Sequence, residues 1–439
     1  MRDAGRVAAA IEVLDAVMNR HQPVKEALRD WGKAHRFAGS KDRAWISGLV
    51  MDALRRRASL RDGMAEDTPR ALALAAWHVA WGVDAEAMDA AFSDDEHAPE
   101  PPTPAERGGF LRVREPRERP IYIEAEAPEW LEASLRRAYG ETAAAEGQAM
   151  AGRASVDLRV NRLKSEPDRA LAAVKAKISH AEESDWVLDG VRIPATDPRD
   201  KAPGAEAIPA YGKGWVEVQD IGSQLAALAA GDIKARQVLD FCAGAGGKTL
   251  ALSALMENSG QLYAWDYDSR RLRAIWTRLR RAGARNVQVR DGKEAETLSD
   301  LKGAIDCVFV DAPCTGSGTW RRRPDSKWRL KPEALERRKS EQDEVLRKAQ
   351  AYVKPGGRMV YVTCSFLPDE NEDRVASFLE DFPAFNPIST SQAMAQSGRL
   401  AQGAVERLAA LEGRFQAIQL TPHRSGTDGF YVCVMERTR

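Results

Sequence analysis

Cysteine and histidine are scarce: five and six in a chain of 439 residues. No two cysteines form a CxxC pair and none clusters with histidine, which argues against a disulfide framework and against a zinc site. No metal is expected. Long apolar runs are also missing, since no stretch approaches the roughly 18 residues a membrane span needs. Glu12 and Asp15 interrupt what would have to be the apolar segment of a signal peptide. A cytoplasmic protein is expected, and any cysteine chemistry there is thiol chemistry in a reducing compartment. Net charge is the last absence, because 65 basic and 65 acidic residues cancel. Nucleic-acid binding rests on neutralising phosphates, so only the distribution of charge can support it here.

That distribution is uneven. Asp84 to Glu100 is acidic, whereas Arg270 to Arg290 holds eight arginines and no acid. A second basic run comprises Arg321, Arg322, Arg323, Lys327, Arg329 and Lys331. The first run reads equally well as a solvated helix face or a binding surface. The second adjoins a candidate catalytic loop, which tilts Arg321, Arg322, Arg323 and Lys327 towards binding.

With 44% hydrophobic and 30% charged residues the chain is that of a soluble folded protein, long enough for two or three domains. Residues 1–98 read as helical, with Val7, Ile11, Leu14 and Met18 at helical spacing and Ile46, Leu49, Val50 and Leu54 likewise. An acidic run and Pro99, Pro101, Pro102 and Pro104 then suggest a linker over 99–124. From 125 to 225 a small α/β unit is expected. Val156, Leu158 and Val160 alternate with polar residues, Leu171, Val174 and Ile178 suggest a helix, and Trp186 to Ile193 a hairpin around Asp189-Gly190. From 226 to 439, apolar runs alternate with helical stretches. The runs are Val238 to Phe241, Leu262 to Trp265, Val287 to Val289, Cys307 to Val310 and Met359 to Val362. This βα alternation predicts an α/β fold, a parallel sheet with helices on both faces. Phe430 to Met435 adds a last strand with no helix after it, expected as an antiparallel edge.

Ligands of such sheets bind beyond the carboxyl ends of the strands, and there the motifs lie. The first strand runs into Cys242-Ala243-Gly244-Ala245-Gly246-Gly247-Lys248-Thr249. Its glycines let backbone approach a ligand and aim helix N-terminal amides at it. Thr249 stands where a dinucleotide fingerprint needs glycine, and the spacing is too short for a phosphate loop. Asp266 ends the second strand, where an acid can accept from ribose hydroxyls. Asp291 closes the third, where it could reach an adenine edge. Each acid alone is more often a cap. A glycine turn and two acids in succession suit S-adenosylmethionine, which offers an adenine, a ribose and a charged amino-acid end.

The fourth strand ends in Asp311-Ala312-Pro313-Cys314-Thr315-Gly316-Ser317-Gly318 and the fifth in Thr363-Cys364-Ser365. Cys307 and Cys433 read as packing inside strands, and Cys242 is open to the same reading. Cys314 and Cys364 lie just past strand ends, which neighbouring parallel strands would bring together. One chemistry needs such thiols. Cytosine C5 is too poor a nucleophile to take a methyl group from a sulfonium directly, and thiolate addition to C6 makes it an enamine carbon. A carboxyl group near N3, the role open to Asp311, shares a proton as charge develops there. A second thiol could then assist elimination.

These motifs resemble the bacterial ribosomal RNA cytosine-C5 methyltransferases of the NOL1/NOP2/Sun (RsmB/NOP) family. Val218-Gln219-Asp220, Arg321 to Trp328, Pro368 to Glu372 and Thr427-Asp428-Gly429-Phe430 add to the likeness, which covers roughly 155–439. The resemblance implies a class I S-adenosylmethionine-dependent methyltransferase (Rossmann-like) domain after a small RRM-like unit and an all-α NusB-like RNA-binding domain. Ser40-Lys41-Asp42-Arg43-Ala44-Trp45 carries the last of these. It implies that Cys364 attacks and Cys314 releases product, although DNA cytosine methyltransferases use the Pro-Cys thiol as nucleophile. It places Lys248 near the base or the cofactor carboxylate and residues 242–248 around the cofactor, where the strand-end acids Asp266, Asp291 and Asp311 are also expected. Ala245 departs from the family's usual proline, and Gly222 from a usual acidic-alanine pair. The implied substrate is RNA, small-subunit ribosomal RNA first and transfer RNA second. Ribosome-assembly intermediates are possible partners for what is expected to be a monomer. A non-catalytic RNA-binding assembly factor retaining the fold is the competing reading.

Overall fold

The computed structural model describes residues 1–93, 95–197, 199 and 204–438. They fall into two compact units. One comprises Met1–Arg153, a short piece beginning at Thr196, and Trp320–Lys331. The other runs from Ala154 to Ala195, then on to Thr319, and resumes at Pro332.

The first unit is helical where its elements are regular. Helices Asp3–Met18, Ser40–Arg55 and Pro69–Val79 bury Val7, Leu14, Ile46, Leu49, Leu54, Leu72 and Leu74 in one core. The spacing of these residues is that of a helical stripe, so burying the stripe is what stabilises each helix. The stretch 99–124, expected as a linker, contains a helix from Pro104 to Arg114 whose Phe110 and Val113 join the same core. Its start was hidden by the prolines around it. Thr103 and Glu106 form a reciprocal capping box and Pro104 takes the first helical position, where a missing N–H costs nothing. The chain stays helical through Ala143–Ala151, and strands begin only afterwards.

The second unit holds two sheets. The smaller is built from β1 (Val156–Val160), β2 (Glu182–Glu183), β3 (Gly190–Ile193) and β4 (Val216–Val218), in the order β2-β3-β1-β4, with antiparallel pairs throughout. The larger has eight strands: β5 (Gln237–Asp240), β6 (Gln261–Ala264), β7 (Val287–Val289), β8 (Ile305–Asp311), β9 (Val353–Thr363), β10 (Phe385–Ile388), β11 (Ile418–Leu420) and β12 (Phe430–Arg437). Its order is β10-β12-β9-β8-β5-β6-β7, with β11 also paired to β12. Strands β5 to β9 are parallel where they pair, and their centres are continuous apolar runs because both faces are covered. Chain order reverses between β5 and β8, which puts the switch point at the carboxyl ends of those two strands.

The last strand departs from expectation. β12 is antiparallel to β9, as anticipated, yet it is interior because β10 and β11 pair with it on its far side. The Phe-Asn-Pro-Ile of β10 is short and carries a proline, a composition that suits an edge and gives little strand signal. Among the described residues no helix is long and apolar enough to cross a membrane.

Candidate active site

The parallel pairing of β8 with β9 sets Asp311 opposite Val362, so the two strands end side by side. The loops that follow carry Cys314 and Cys364, and their Sγ atoms lie 3.3 Å apart, both half-buried. Several backbone contacts fix this approach. The amide of Gly318 donates to the carbonyl of Cys364 at 3.0 Å, and that of Gly429 to Gly318 at 2.8 Å. A Cβ on Gly318 would lie 2.1 Å from the Gly429 oxygen, so only glycine permits the contact. Ser317 and Ser365 hydroxyls pair at 2.9 Å beneath the thiols. Asp220 accepts from the amide of Asp428 at 3.0 Å. The motifs at 220, 318, 364 and 428 are thereby linked in one hydrogen-bonded chain.

Lys248 and Asp311 are also brought together. The Lys248 ammonium donates to the Asp311 carboxylate at 3.1 Å and sits 5.0 Å from the Phe430 ring centroid. Lys248 is buried while Asp311 is partly exposed, so the pair offers a carboxylate to a ligand with its charge already balanced.

The glycine turn joins β5 to the helix Gly247–Leu255 through Gly246, whose φ of 87° places it in the left-handed region. Nothing would lie within 4 Å of a Cβ on Gly247, which leaves the first turn of that helix open. Asp266 is buried. Its two oxygens accept from the amides of Gly244 at 2.8 Å and Asp268 at 2.9 Å, and the Arg271 guanidinium lies 3.3 Å away. Each oxygen keeps a second lone pair, so the donor set fits a ribose if Arg271, more than half exposed, gives way. Asp291 is exposed beyond β7. Cys242 is half-buried, its thiol pushed well up first by burial and then by Asp266, Asp240 and Asp311. A thiol held protonated in that way is inert, and packing accounts for it. Asp240, beneath the turn, is raised to about 7 chiefly by burial, although the Thr249 hydroxyl donates to it at 2.7 Å.

The Cys314 thiol is pushed well up, first by its hydrogen bond with the Cys364 sulfur, then by burial and by the charges of Cys364 and Glu370. Glu370 itself was missed in the sequence, as were Gln342 and Asn371. Glu370 and Asn371 fall inside or beside the Pro368 to Glu372 motif, which the resemblance singled out without a role. Gln342 carried a signal of its own. With Leu335, Leu346 and Ala349 it forms the buried face of an otherwise charged helix, so a polar residue there needs a partner.

The second basic run belongs to the helical unit. Arg321 and Lys327 are buried, and the Lys327 ammonium donates to the Arg55 carbonyl at 3.1 Å within the helical unit. The Arg55 guanidinium donates in turn to the Arg321 carbonyl at 3.0 and 2.9 Å. That corrects the expectation of phosphate contacts for Arg321 and Lys327, because an ammonium or guanidinium out of reach of solvent cannot meet a phosphate. Arg322 is half-buried and Arg323 is exposed.

A doubly wound sheet with a glycine turn at its switch point, strand-end acids and two loops meeting beside it defines a class I methyltransferase domain. The chain matches the 16S rRNA methyltransferase RsmB/F family over residues 227–436 and the ferredoxin-like domain of RsmF/B-like methyltransferases over 127–198. It is 30% identical over 333 residues to a probable ribosomal RNA small subunit methyltransferase B of Bacillus subtilis (strain 168), covering 75% of this chain and 70% of that protein. Against the ribosomal RNA small subunit methyltransferase B of Enterobacter sp. (strain 638) it is 33% identical over 255 residues, 58% of either chain. That match therefore spans less than two thirds of the relative. In fold it is similar to a crystallised methyltransferase homologue from Pyrococcus horikoshii, with a TM-score of 0.58 at 24% identity over 72% of this chain and 97% of that one. The chain belongs to the RsmB/F family of bacterial 16S rRNA methyltransferases, whose methyl donor is S-adenosylmethionine.

Proposed function

We propose that this chain methylates C5 of a cytosine in small-subunit ribosomal RNA, with Cys364 as nucleophile and Cys314 as the thiol that helps release the product. The observation that carries the reading is the pair of thiols 3.3 Å apart at adjoining strand ends. S-adenosylmethionine, held by residues 242–248, Asp266 and Asp291, supplies an electrophilic methyl group when bound. The chain's own residues do the rest. The Cys364 thiolate adds to C6 of an unstacked cytosine, forming a C–S bond and moving electron density to C5 and N3. Asp311, held beside Lys248, shares a proton with N3 as that density develops. After methylation the C–S bond breaks, the Cys314 S–H passes its proton to the departing Cys364 sulfur, and the C5 proton takes its place on Cys314.

Two further features support an RNA substrate. The helical unit is assigned the role of a NusB-like RNA-binding domain, and the small sheet that of the RRM-like unit. Both readings rest on the resemblance. In the second unit, Arg273 and Arg280 flank Trp276 at helical spacing, and all three are exposed. Trp276 keeps 53% of its surface, an aromatic face between two cations of the kind that stacks on a base. We assign the protein to the cytoplasm, acting as a monomer on naked RNA or assembly intermediates.

Mapping 5-methylcytosine in cells with and without the gene tests the reading. One position in small-subunit RNA is expected to disappear. Loss from a transfer RNA would move the substrate, and an unchanged map would leave only an assembly factor. Cys364→Ala is expected to abolish both transfer and adduct. Cys314→Ala is expected to accumulate a protein–RNA adduct that survives denaturing gels, and the opposite pattern exchanges the two roles.

A further inference from the structure

Glu370 and Asn371 are consecutive, fully buried, and aimed at opposite loops. The Glu370 carboxylate accepts from the Thr315 amide at 2.8 Å and from the Thr315 hydroxyl at 2.5 Å. It also accepts from the Gln342 side chain at 3.0 Å, and the same amide nitrogen donates to the Pro313 carbonyl at 2.8 Å. The residues on both sides of Cys314 are thus tied to one carboxylate. Asn371 does the same for Cys364. Its side-chain oxygen accepts from the Thr363 hydroxyl at 2.6 Å, and its nitrogen donates to the Ser365 carbonyl at 3.1 Å. The buried Tyr361 hydroxyl donates to the Glu370 carbonyl at 2.7 Å, anchoring the pair to the sheet. Two adjacent residues therefore hold the backbone before and after both thiols.

The arrangement is also electrically lopsided. Burial raises the Glu370 carboxyl above its ordinary value, while a backbone amide, a hydroxyl and a side-chain amide all point at it and pull the other way, towards the ionised carboxylate. That charge acts on Cys314. The other titratable groups around it are Cys364 and Tyr361, whose buried phenol is pushed far up and stays neutral. Lys248 and Asp311, at the neighbouring strand ends, balance one another. Two thiols in contact cannot both ionise cheaply, so a fixed negative charge beside one of them decides where the remaining proton stays.

We propose that Glu370 and Asn371 are positioning residues that set the spacing of the two thiols, and that Glu370 keeps the shared proton on Cys314 so that Cys364 is the thiolate. The assignment rests on the reading of Cys364 as nucleophile, and it supplies a physical reason for a polarity that the spacing of the motifs leaves open. In this state the Cys314 S–H donates to the Cys364 sulfur. Gln342 belongs to the same clasp as a spacer between the carboxylate and Pro313.

Iodoacetamide alkylation of the full-length protein, followed at each cysteine by peptide mass spectrometry across pH, tests this without RNA or cofactor. That readout fails or succeeds independently of the substrate assignment, whereas kcat and KM are read with RNA and cofactor. In the unaltered protein Cys364 is expected to react at least tenfold faster than Cys314 at pH 7.5. Glu370→Gln should narrow that preference threefold or more and shift the Cys314 profile to lower pH, while Glu370→Asp should restore most of it. Asn371→Ala should leave the Cys314 profile in place, because the charge remains, but lower kcat more than it changes KM. An unchanged preference in Glu370→Gln overturns the charge argument, and unchanged kcat in Asn371→Ala overturns the clasp. If Glu370→Gln does not fold, Thr315→Val removes one donor to the same carboxylate. It should narrow the preference in the same sense, and an unchanged preference there is equally fatal.

Discussion

Two arginine-rich stretches look alike in the sequence, yet the second buries Arg321 and Lys327 whereas the first leaves Arg273, Arg280 and Arg285 exposed. In the run from Arg270 to Arg290, five arginines are matched to acids: Arg270 to Asp268, Arg271 to Asp266, Arg278 and Arg281 to Glu217, and Arg290 to Asp300. Arg273, Arg280 and Arg285 are exposed and have no ion pair among the described residues. In the run from Arg321 to Lys331, Arg321 and Lys327 are turned inward, Arg322 is half-buried, and Arg323, Arg329 and Lys331 are exposed. Lys327 is buried near Glu126, Arg329 is paired with Asp325 at 2.7 Å, and the Trp328 indole donates to the Leu54 carbonyl at 2.6 Å. Nearness to the candidate catalytic loop in sequence favoured the second run as the binding surface, whereas the exposed, ion-pair-free arginines lie in the first. What separates them is whether the charge already has a partner, which a count of arginines does not reveal.

The largest expected effect breaks the inward run. Lys327→Ala removes a buried cation and leaves the Glu126 carboxyl, itself raised by burial, without the charge that offsets it. Losing the buried charged hydrogen bond to the Arg55 carbonyl costs about 1.5 to 3 kcal/mol, read as a fall in the denaturation midpoint of the full chain. RNA affinity of the folded protein should not change. A stable variant that binds RNA poorly would reverse the comparison.

The outward run is sharpened by two smaller changes. Trp276→Ala should weaken binding to single-stranded RNA by about 1 to 3 kcal/mol, the usual worth of a base stacked on an aromatic side chain. Stability should stay within about 0.5 kcal/mol, because an exposed side chain away from caps and cores contributes little. Arg273→Ala with Arg280→Ala should reduce the slope of log affinity against log salt by about 1.4, at roughly 0.7 per phosphate contact on a single strand. Equal slopes before and after would return this face to mere solvation.

The same contrast between partnered and unpartnered groups explains what could be read in advance. The five parallel strands and the meeting of Cys314 with Cys364 were legible, because continuous apolar runs and Gly-rich strand ends are local signals whose adjacency follows from parallel pairing. The interior place of β12 was not, since β10 is short and carries a proline. Nor was the helix Pro104–Arg114, whose capping proline resembles linker composition. Gly222, a departure with no consequence evident in the sequence, now has one. A Cβ there would lie 2.9 Å from the Thr427 hydroxyl and 3.0 Å from the Asp428 carbonyl. Such crowding involves residues two hundred positions away, and no window along the chain contains it. Glu370 belongs to the same class, as a buried acid whose partners are set by the fold alone.

The smallest expected effect is a pH dependence that belongs to the inward run only. Burial lowers Lys327 to about 8, against the pull of the Glu126 charge. In the unfolded chain a lysine titrates near 10.4. Between about pH 8 and 10 the unfolded state therefore holds more protons at this site than the folded state, and stability rises with pH. Lys327→Met lacks that contribution. In the variant the uncompensated Glu126 would titrate higher still, which makes folding less favourable as pH rises. Both effects run in the same direction, so the advantage of the unaltered protein over Lys327→Met should widen from pH 7.5 to 9.5, by on the order of 1 kcal/mol. Urea denaturation of both proteins at the two pH values measures it. Arg273→Ala serves as the contrast, because an exposed guanidinium stays charged throughout this range and the corresponding difference should not move. If the Lys327 difference is equally flat, the lysine is solvated in solution and the two runs differ less than their side-chain partners imply.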